Sequence, residues 1–383
     1  MNWVAIGIEL GCALLTVCGI VYGLLVLMAV RGFARAPLQG AAFAPPVSVL
    51  KPVKGVDARM HAGLVSHCQQ VYPSGFEIVF GVSSLEDAAV AEIARLKVDF
   101  PNVTIVLVEC RERLGSNGKV SNLTQMLPVA NFEYVVVNDS DILVAPGYLQ
   151  AVMRPFSDAS VGLVTAPYVG QAEKTLWSKL EALGIATDFM PGVLVARKLE
   201  NGVHFGLGST LATTKTALAS IGGFKALVDQ LADDYEMGAR LANAGYKVQL
   251  AKEVVQTTVP AYTLRGFCEH QLRWARSTRD SRRGGYVGLG VTYALPWAMA
   301  TVLASGVALW SVTLLSLALL VRVACALSVG VGLLRDEQVL RDLWLLPLRD
   351  CAGLGFWAWS YAGDTIVWRG ERFFLRRGKL VRA

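Results

Sequence analysis

Residues 10–30 form an uncharged run of 21, bounded by Glu9 and Arg31. About 20 apolar residues cross the hydrocarbon core of a bilayer as a helix. A cleaved signal peptide carries its positive charges ahead of such a run. Here Arg31 and Arg35 follow it. Residues 1–35 therefore read as a retained anchor whose carboxyl end faces the cytoplasm.

The composition agrees, with 54% hydrophobic and 17% charged residues, against about 45–50% and about 25% in soluble domains. Mean hydropathy is +0.45. This argues against an ordinary cytosolic enzyme and against a disordered chain. Tyr286 to Val321 is a second apolar block, 36 residues without Asp, Glu, Lys or Arg, ending at Arg322. A third runs from Leu343 to Trp368 and holds Arg349, Asp350 and Asp364. Residues 286–368 are thus expected to form a multi-pass transmembrane region. Residues 369–383 carry six basic residues against one Glu and read as a cytoplasmic tail. A cytoplasmic tail requires an even number of crossings after residue 285, most simply two, with Pro296 partly in the interface. Arg322 is costly at mid-bilayer and tolerable at an end, where it can snorkel.

The seven cysteines show no paired-ligand spacing, which argues against zinc or a disulfide framework. The net charge of +6 comes largely from residues 265–283 and the tail. Both flank apolar blocks, so anionic lipid headgroups explain it better than nucleic acid. No obligate protein partner is evident.

The stretch 45–285 is different, with charges, turns and short β runs. Val47–Leu50, Glu77–Val82, Thr104–Val108 and Tyr134–Val137 read as strands, with helices over 57–71 and 87–98 between them. Short apolar strands alternating with helices predict a mostly parallel α/β sheet. Such sheets collect ligands at the carboxyl ends of their strands. The fourth strand runs into Asn138-Asp139-Ser140-Asp141. Two carboxylates so spaced can share a divalent cation with a nucleotide diphosphate, or can form a polar turn with an Asx cap. Asp233-Asp234 opens a helix over 235–244; Asp233 suits an N-cap, and the second carboxylate is then available for chemistry. Residues 206–210 (GLGST) and 221–224 (IGGF) are loop signals that let the chain approach a ligand. Residues 265–285 hold six arginines beside Phe267, Leu272 and Trp274, as in an interfacial amphipathic helix or an arginine-lined phosphate site.

In this order and between these apolar blocks, the motifs resemble the ceramide glucosyltransferase family and its bacterial hopanoid-associated relatives. The resemblance covers about residues 45–285. VSVLKPVKG (47–55) resembles the family's first strand and uridine-side loop, with Lys51 and Lys54. GKVSNL (118–123) resembles its donor-side element, with Lys119 and Asn122. NDSDI resembles its metal-binding aspartate segment, VGLVTAPYVG (161–170) the passage to the acceptor half, and Asp233-Asp234-Tyr235 its acidic-Asp-Tyr motif. Arg273-Trp274 match the end of its (Gln/Arg)-x-x-Arg-Trp motif.

The resemblance implies a cytoplasmic GT-A-type domain over 45–264, flanked by transmembrane helices in a bacterial inner membrane. It also implies an inverting transfer of one sugar from a UDP-sugar to a lipid hydroxyl. UDP-glucose with ceramide is the first pair, and UDP-N-acetylglucosamine with a hopanoid polyol the second. By the same resemblance Asp139, with Asp141 in support, holds Mg²⁺ or Mn²⁺. Asp234 is then the base, Arg273 stabilises the leaving diphosphate, and Trp274 is a platform. Two residues depart from the pattern. His270 stands where the last motif has Gln or Arg, and is read as a hydrogen-bond partner before a second base. Ser84 stands where an aspartate receives the uracil, with Glu86 or Asp87 as substitutes by a loop shift. His204, in a glycine-flanked loop, reads as a surface residue before a substrate contact. The competing readings are a polysaccharide synthase, which needs more spans, and a sugar-nucleotide-binding protein that has lost its chemistry.

Overall fold

The computed structural model describes residues 3–38, 40–57, 59–368 and 370–382. Met1, Asn2, Arg369 and Ala383, at the ends of the expected anchor and tail, lie outside the described residues. The four strands read from the sequence are β1 (Val47–Pro52), β2 (Phe76–Val82), β3 (Thr104–Glu109) and β4 (Tyr134–Val137). They are joined by β5 (Val161–Thr165), β6 (Tyr168–Ala172), β7 (Leu211–Thr214), β8 (Lys247–Leu250) and β9 (Val255–Val259). Seven of these make one sheet in the order β3-β2-β1-β4-β7-β5-β8. Only β7 runs against its neighbours. β4 at its centre has Val135, Val136 and Val137 buried, which is why its sequence reads as a continuous apolar run. β6 and β9 pair in parallel as a separate two-stranded ribbon beside the strand ends.

The helices at Met60–Cys68 and Ala89–Asp99 fall within or beside the expected 57–71 and 87–98. The helix Asp233–Asn243 starts at the paired aspartates, with Ala232 and not Asp233 at its N-cap. The basic stretch forms the helix Leu264–Ser281, capped by the Thr263 hydroxyl, which accepts from the Gly266 amide at 3.2 Å. Its apolar side seats Phe267 between Trp177 and Phe356.

Two helices among the described residues are long and apolar enough to cross a membrane, Trp3–Arg35 and Leu309–Leu333. A third span arises if the bent pair Arg283–Thr292 and Ala294–Ala304, 52° apart, is counted as one. The helix Leu346–Ser360 has only 15 residues and carries Arg349 and Asp350. Arg322 does not snorkel. It is buried in an ion-pair cluster, 2.5 Å from Asp188 and 2.7 Å from Asp350, while Arg349 holds the other Asp188 oxygen at 2.8 Å. Asp188 lies in a π-helical turn, Ile185–Phe189, that aims its carboxylate at both arginines.

The basic segment at the far end is not a loose tail. β10 (Thr365–Trp368), β11 (Glu371–Arg376) and β12 (Lys379–Arg382) form an antiparallel sheet. β10 takes up the last four residues of the stretch expected in the membrane. The sheet buries Ile366, Phe373, Leu375 and Leu380 around Leu231. It also bonds to the backbone just before the paired aspartates, through Leu231 N to Gly378 O at 3.0 Å and Leu380 N to Asp229 O at 2.8 Å.

Candidate active site

The turn after β4 places Asp139 at the carboxyl end of the sheet. Its Oδ1 lies 2.8 Å from Lys119 Nζ, and Lys119 also faces Asp233 Oδ2 at 3.6 Å. Burial alone would lower the Lys119 pKa, but the charges of Asp139 and Asp233 hold it above the ordinary value. Lys119 stands in the first turn of the helix Gly118–Met126, whose N-cap is Asn117. The Asn117 amide also donates to Gln230 O at 2.9 Å and to Asp233 Oδ1 at 3.2 Å. Asp233 is therefore a clamp between the Gly118–Met126 helix and its own, and not the N-cap expected from the sequence.

Asp234 follows in the same turn. Burial, then the charge of Asp233, push its carboxyl up to about 6, while Lys119 pulls it down. Its Oδ1 accepts from the Tyr235 amide at 2.8 Å. The glycine loop passes directly over it: a Cβ on Gly208 would sit 2.9 Å from Asp234 Oδ2, and one on Gly206 would sit 2.6 Å from the Asp234 carbonyl oxygen.

The two aspartates of the β4 turn are not equivalent. Asp139 leaves 44% of its side chain exposed. Asp141 turns inward, where Oδ2 accepts from Thr257 Oγ1 at 2.6 Å and from the Thr258 amide at 3.0 Å. Burial and the Asp139 charge raise its pKa. It ties the turn to β9. Among the described residues no three His, Cys, Asp or Glu side chains converge as a metal cage. The exposed Asp139 oxygens fit a hard cation completed by a diphosphate, since Mg²⁺ typically takes one or two carboxylates plus phosphate oxygens.

Lys51 lies beneath this turn, fully buried, with Nζ 3.0 Å from the Asp139 carbonyl and 3.4 Å from both His67 ring nitrogens. Burial pushes Lys51 down to about 7 against the pull of Asp141 and Asp139. Burial and Lys51 push His67 down to about 3. His67 reaches Asn138, whose amide donates to Ser209 O at 2.7 Å and so joins the β4 turn to the glycine loop. Lys51 thus supports the turn from below, whereas Lys54 is exposed and within electrostatic range of Glu371 on β11.

At the end of β2, Ser83 Oγ donates to Asn122 Oδ1 at 3.3 Å, and Ser84 Oγ accepts from the Glu86 amide at 3.1 Å. Asp87 accepts from Gly55 N at 2.9 and 3.1 Å and from Ala89 N at 2.9 Å. Its carboxylate is committed to holding the loop after β1. In the helix Leu264–Ser281, His270 Nδ1 is 2.9 Å from Glu181 Oε1. Glu181 is only 4% exposed. Gln271 reaches the same carboxylate and accepts from Arg349 at 2.8 Å. The His270 ring stacks on Tyr262 and packs against Trp274, which leans on Phe189. Arg273 acts electrostatically on Tyr262. Tyr168 of β6 is buried within electrostatic reach of Asp234, Glu181 and Asp139, and burial raises its pKa. His204 stays on the surface beside Glu200. Sequence reasoning passed over His67, Asn138, Tyr168 and Glu181, although the asparagine directly before the β4 aspartates was a usable signal.

The family model described as Glycosyl transferase family 21 matches residues 11–381. Ceramide glucosyltransferase 1 of Caenorhabditis elegans is 27% identical over 233 residues, 61% of this chain and 49% of that protein. Beta-monoglucosyldiacylglycerol synthase of Trichormus variabilis is 26% identical over 230 residues, 60% of this chain and 47% of that one. The chain spans about half the length of the curated relatives it matches. Among solved structures, the mannosyltransferase PcManGT from Pyrobaculum calidifontis, in complex with GDP-Man and Mn2+, superposes with a TM-score of 0.57. That alignment covers 93% of this chain and 98% of the other at 21% identity, a likeness of fold, here the mostly parallel GT-A-like α/β fold. Matched along nearly its whole length and related to ceramide glucosyltransferases and bacterial glycolipid synthases, the chain belongs to glycosyl transferase family 21.

Proposed function

We propose that this chain is a membrane-bound inverting glycosyltransferase that moves one sugar from a UDP-sugar to a hydroxyl of a membrane lipid. Ceramide with UDP-glucose is the first pair, and a hopanoid polyol with UDP-N-acetylglucosamine the second. The observation that carries the reading is Asp234, a carboxyl raised to about 6 beside the Lys119–Asp139 pair at the strand ends. A general base works best with a pKa near the working pH. At neutral pH Asp234 is mostly ionised yet basic enough to take a proton from an attacking hydroxyl. Oxygen then bonds to the anomeric carbon as the bond to the diphosphate breaks on the opposite face.

A bound Mg²⁺ or Mn²⁺, held by Asp139, would supply neutralising charge to the departing diphosphate. Lys119 keeps Asp139 in place and stays positive for the same region. Arg273 brings a further cation to the Tyr262 side. Glu181 fixes the His270 ring through Nδ1, so His270 orients a substrate group and Asp234 is left as the base. Trp274 supplies an aromatic face next to it. We place the domain over 45–264 on the cytoplasmic side of a bacterial inner membrane, between the anchor and the apolar helices of 286–368. The likeness to a ceramide glucosyltransferase and a beta-monoglucosyldiacylglycerol synthase supports a lipid acceptor.

A second reading is a sugar-nucleotide-binding membrane protein without transfer. One observation favours it: Asp87 is tied to Gly55 and Ala89, so it is not free to replace the aspartate that Ser84 stands in for at the uracil position. One experiment decides between the two. Detergent-solubilised protein is incubated with UDP-glucose or UDP-N-acetylglucosamine and with ceramide, diacylglycerol or a hopanoid polyol, with and without EDTA. Lipid-dependent UDP release, abolished by EDTA, is the expected result. Asp234→Asn should lower kcat by about 10²–10⁴ while UDP-sugar binding persists. Background release with every pair, together with intact UDP-sugar binding, would establish the second reading instead.

A further inference from the structure

The helix Leu264–Ser281 and the β11–β12 hairpin border an open cleft of about 500 Å³, whose lining includes none of Asp139, Asp233 and Asp234. Arginines dominate its wall, with Arg279 and Arg283 from the helical side and Arg376 and Arg377 from the hairpin. Two acids share the site and are already engaged. Asp364 pairs with Arg279, and Asp280 pairs with Arg283 at 3.3 Å while accepting from the Gly378 amide. No carboxylate among the described residues pairs with Arg376 or Arg377, so the pocket retains two uncompensated positive charges.

The hairpin tip holds one of those charges at some conformational expense. Arg376 and Lys379 are paired, so the loop is the two residues Arg377-Gly378, with φ of 50° and 78°. Two central residues in the left-handed region make the turn that favours Asn-Gly. An arginine is unusual at that first position, and here it adds its charge to the pocket. The rim is apolar: Val287 is 60% exposed and Tyr361 is 48% exposed. Val287 belongs to the first limb of the bent apolar pair, and tyrosines of this kind sit at the headgroup level of membranes.

We propose that this pocket binds the phosphate of an anionic phospholipid, with the Arg376 and Arg377 guanidinium groups on its oxygens and its acyl part along Val287 and Tyr361. Planar guanidinium forks suit phosphate oxygens, and a basic floor under an apolar rim suits an amphiphile better than a soluble anion. This lipid is separate from the acceptor. The inference rests on the membrane placement proposed above and not on sugar transfer.

The full-length protein in neutral detergent is titrated with phosphatidylglycerol, phosphatidylcholine or inorganic phosphate, and bound lipid is read by native mass spectrometry. Phosphatidylglycerol should bind at least about tenfold tighter than phosphatidylcholine, and inorganic phosphate should not displace it. The double variant Arg376→Gln/Arg377→Asn should lose that preference. Asn suits the turn, so the ligand-free unfolding temperature should be unchanged, showing that the hairpin is intact. Equal binding of the two lipids, or a folded double variant that keeps the preference, overturns the proposal. Displacement by inorganic phosphate at equal affinity identifies a soluble-anion site and overturns the lipid assignment. Alkaline carbonate extraction tests the underlying placement separately: release of the chain from membranes defeats the membrane reading whatever the pocket binds.

Discussion

Asp234 carries its proton to a higher pH than an ordinary carboxyl because burial and Asp233 both oppose its charge. If it is the base, kcat/KM should fall about tenfold per pH unit below an inflection near 6. A pH–rate profile flat down to about 4 would remove Asp234 from that role. The same shift has a consequence for stability. The unfolded carboxyl titrates near about 3.9, so the folded chain binds this proton more tightly. The resulting stabilisation is complete below about pH 4 and is lost as pH rises through about 6. Asp234→Asn should therefore stabilise the fold on the order of 1 kcal/mol at pH 7.5 and not at pH 4. Thermal unfolding at the two pH values checks the sign.

Between elements, the closest approach is that of the Asp233–Asn243 helix to the glycine loop. A Cβ on Gly238 would lie 2.2 Å from Gly206 N and 2.3 Å from Phe205 C. Backbone cannot yield as a side chain can, so Gly238→Ala should cost about 1–3 kcal/mol and push the loop off Asp234. Gly32→Ala meets nothing within 4 Å and serves as the neutral control. The four parallel strands and the two helices between them were legible because burial on both faces, and helical spacing, write themselves locally into the sequence. The β4 aspartates were visible as a pair, but not their division of labour. Asp141 faces Thr257, 116 residues away, and no local pattern encodes such a pairing. The same holds for Glu181 beneath His270. The closing three-stranded sheet was misread as a tail because its charges alternate with buried Phe373 and Leu375, a period of two hidden within a basic composition.

At the scale of the whole molecule, the Arg322, Asp188, Asp350 and Arg349 cluster joins an apolar helix to the α/β domain. From Arg349 the contacts continue through Gln271 to Glu181 and His270. Removing one partner of a buried ion pair costs about 3–5 kcal/mol, because its opposite charge stays buried without compensation. Arg322→Met should lower stability by that order, and Asp350→Leu added to it should restore part of the loss. Unfolding of the single and double variants in detergent micelles measures the coupling, and additive losses would mean that the cluster is not a unit.

The β10–β12 sheet braces residues 229–231, immediately ahead of Asp233 and Asp234, yet the helices of residues 264–360 separate it from them in the chain. In chain order residues 229–231 come before the apolar helices of 286–360, and their brace comes after them. The Asp233–Asp234 turn therefore gains this support only once those helices have been made. A molecule halted before that point would carry Asp139, Asp233 and Asp234 and still lack the backbone bonds that brace residues 229–231.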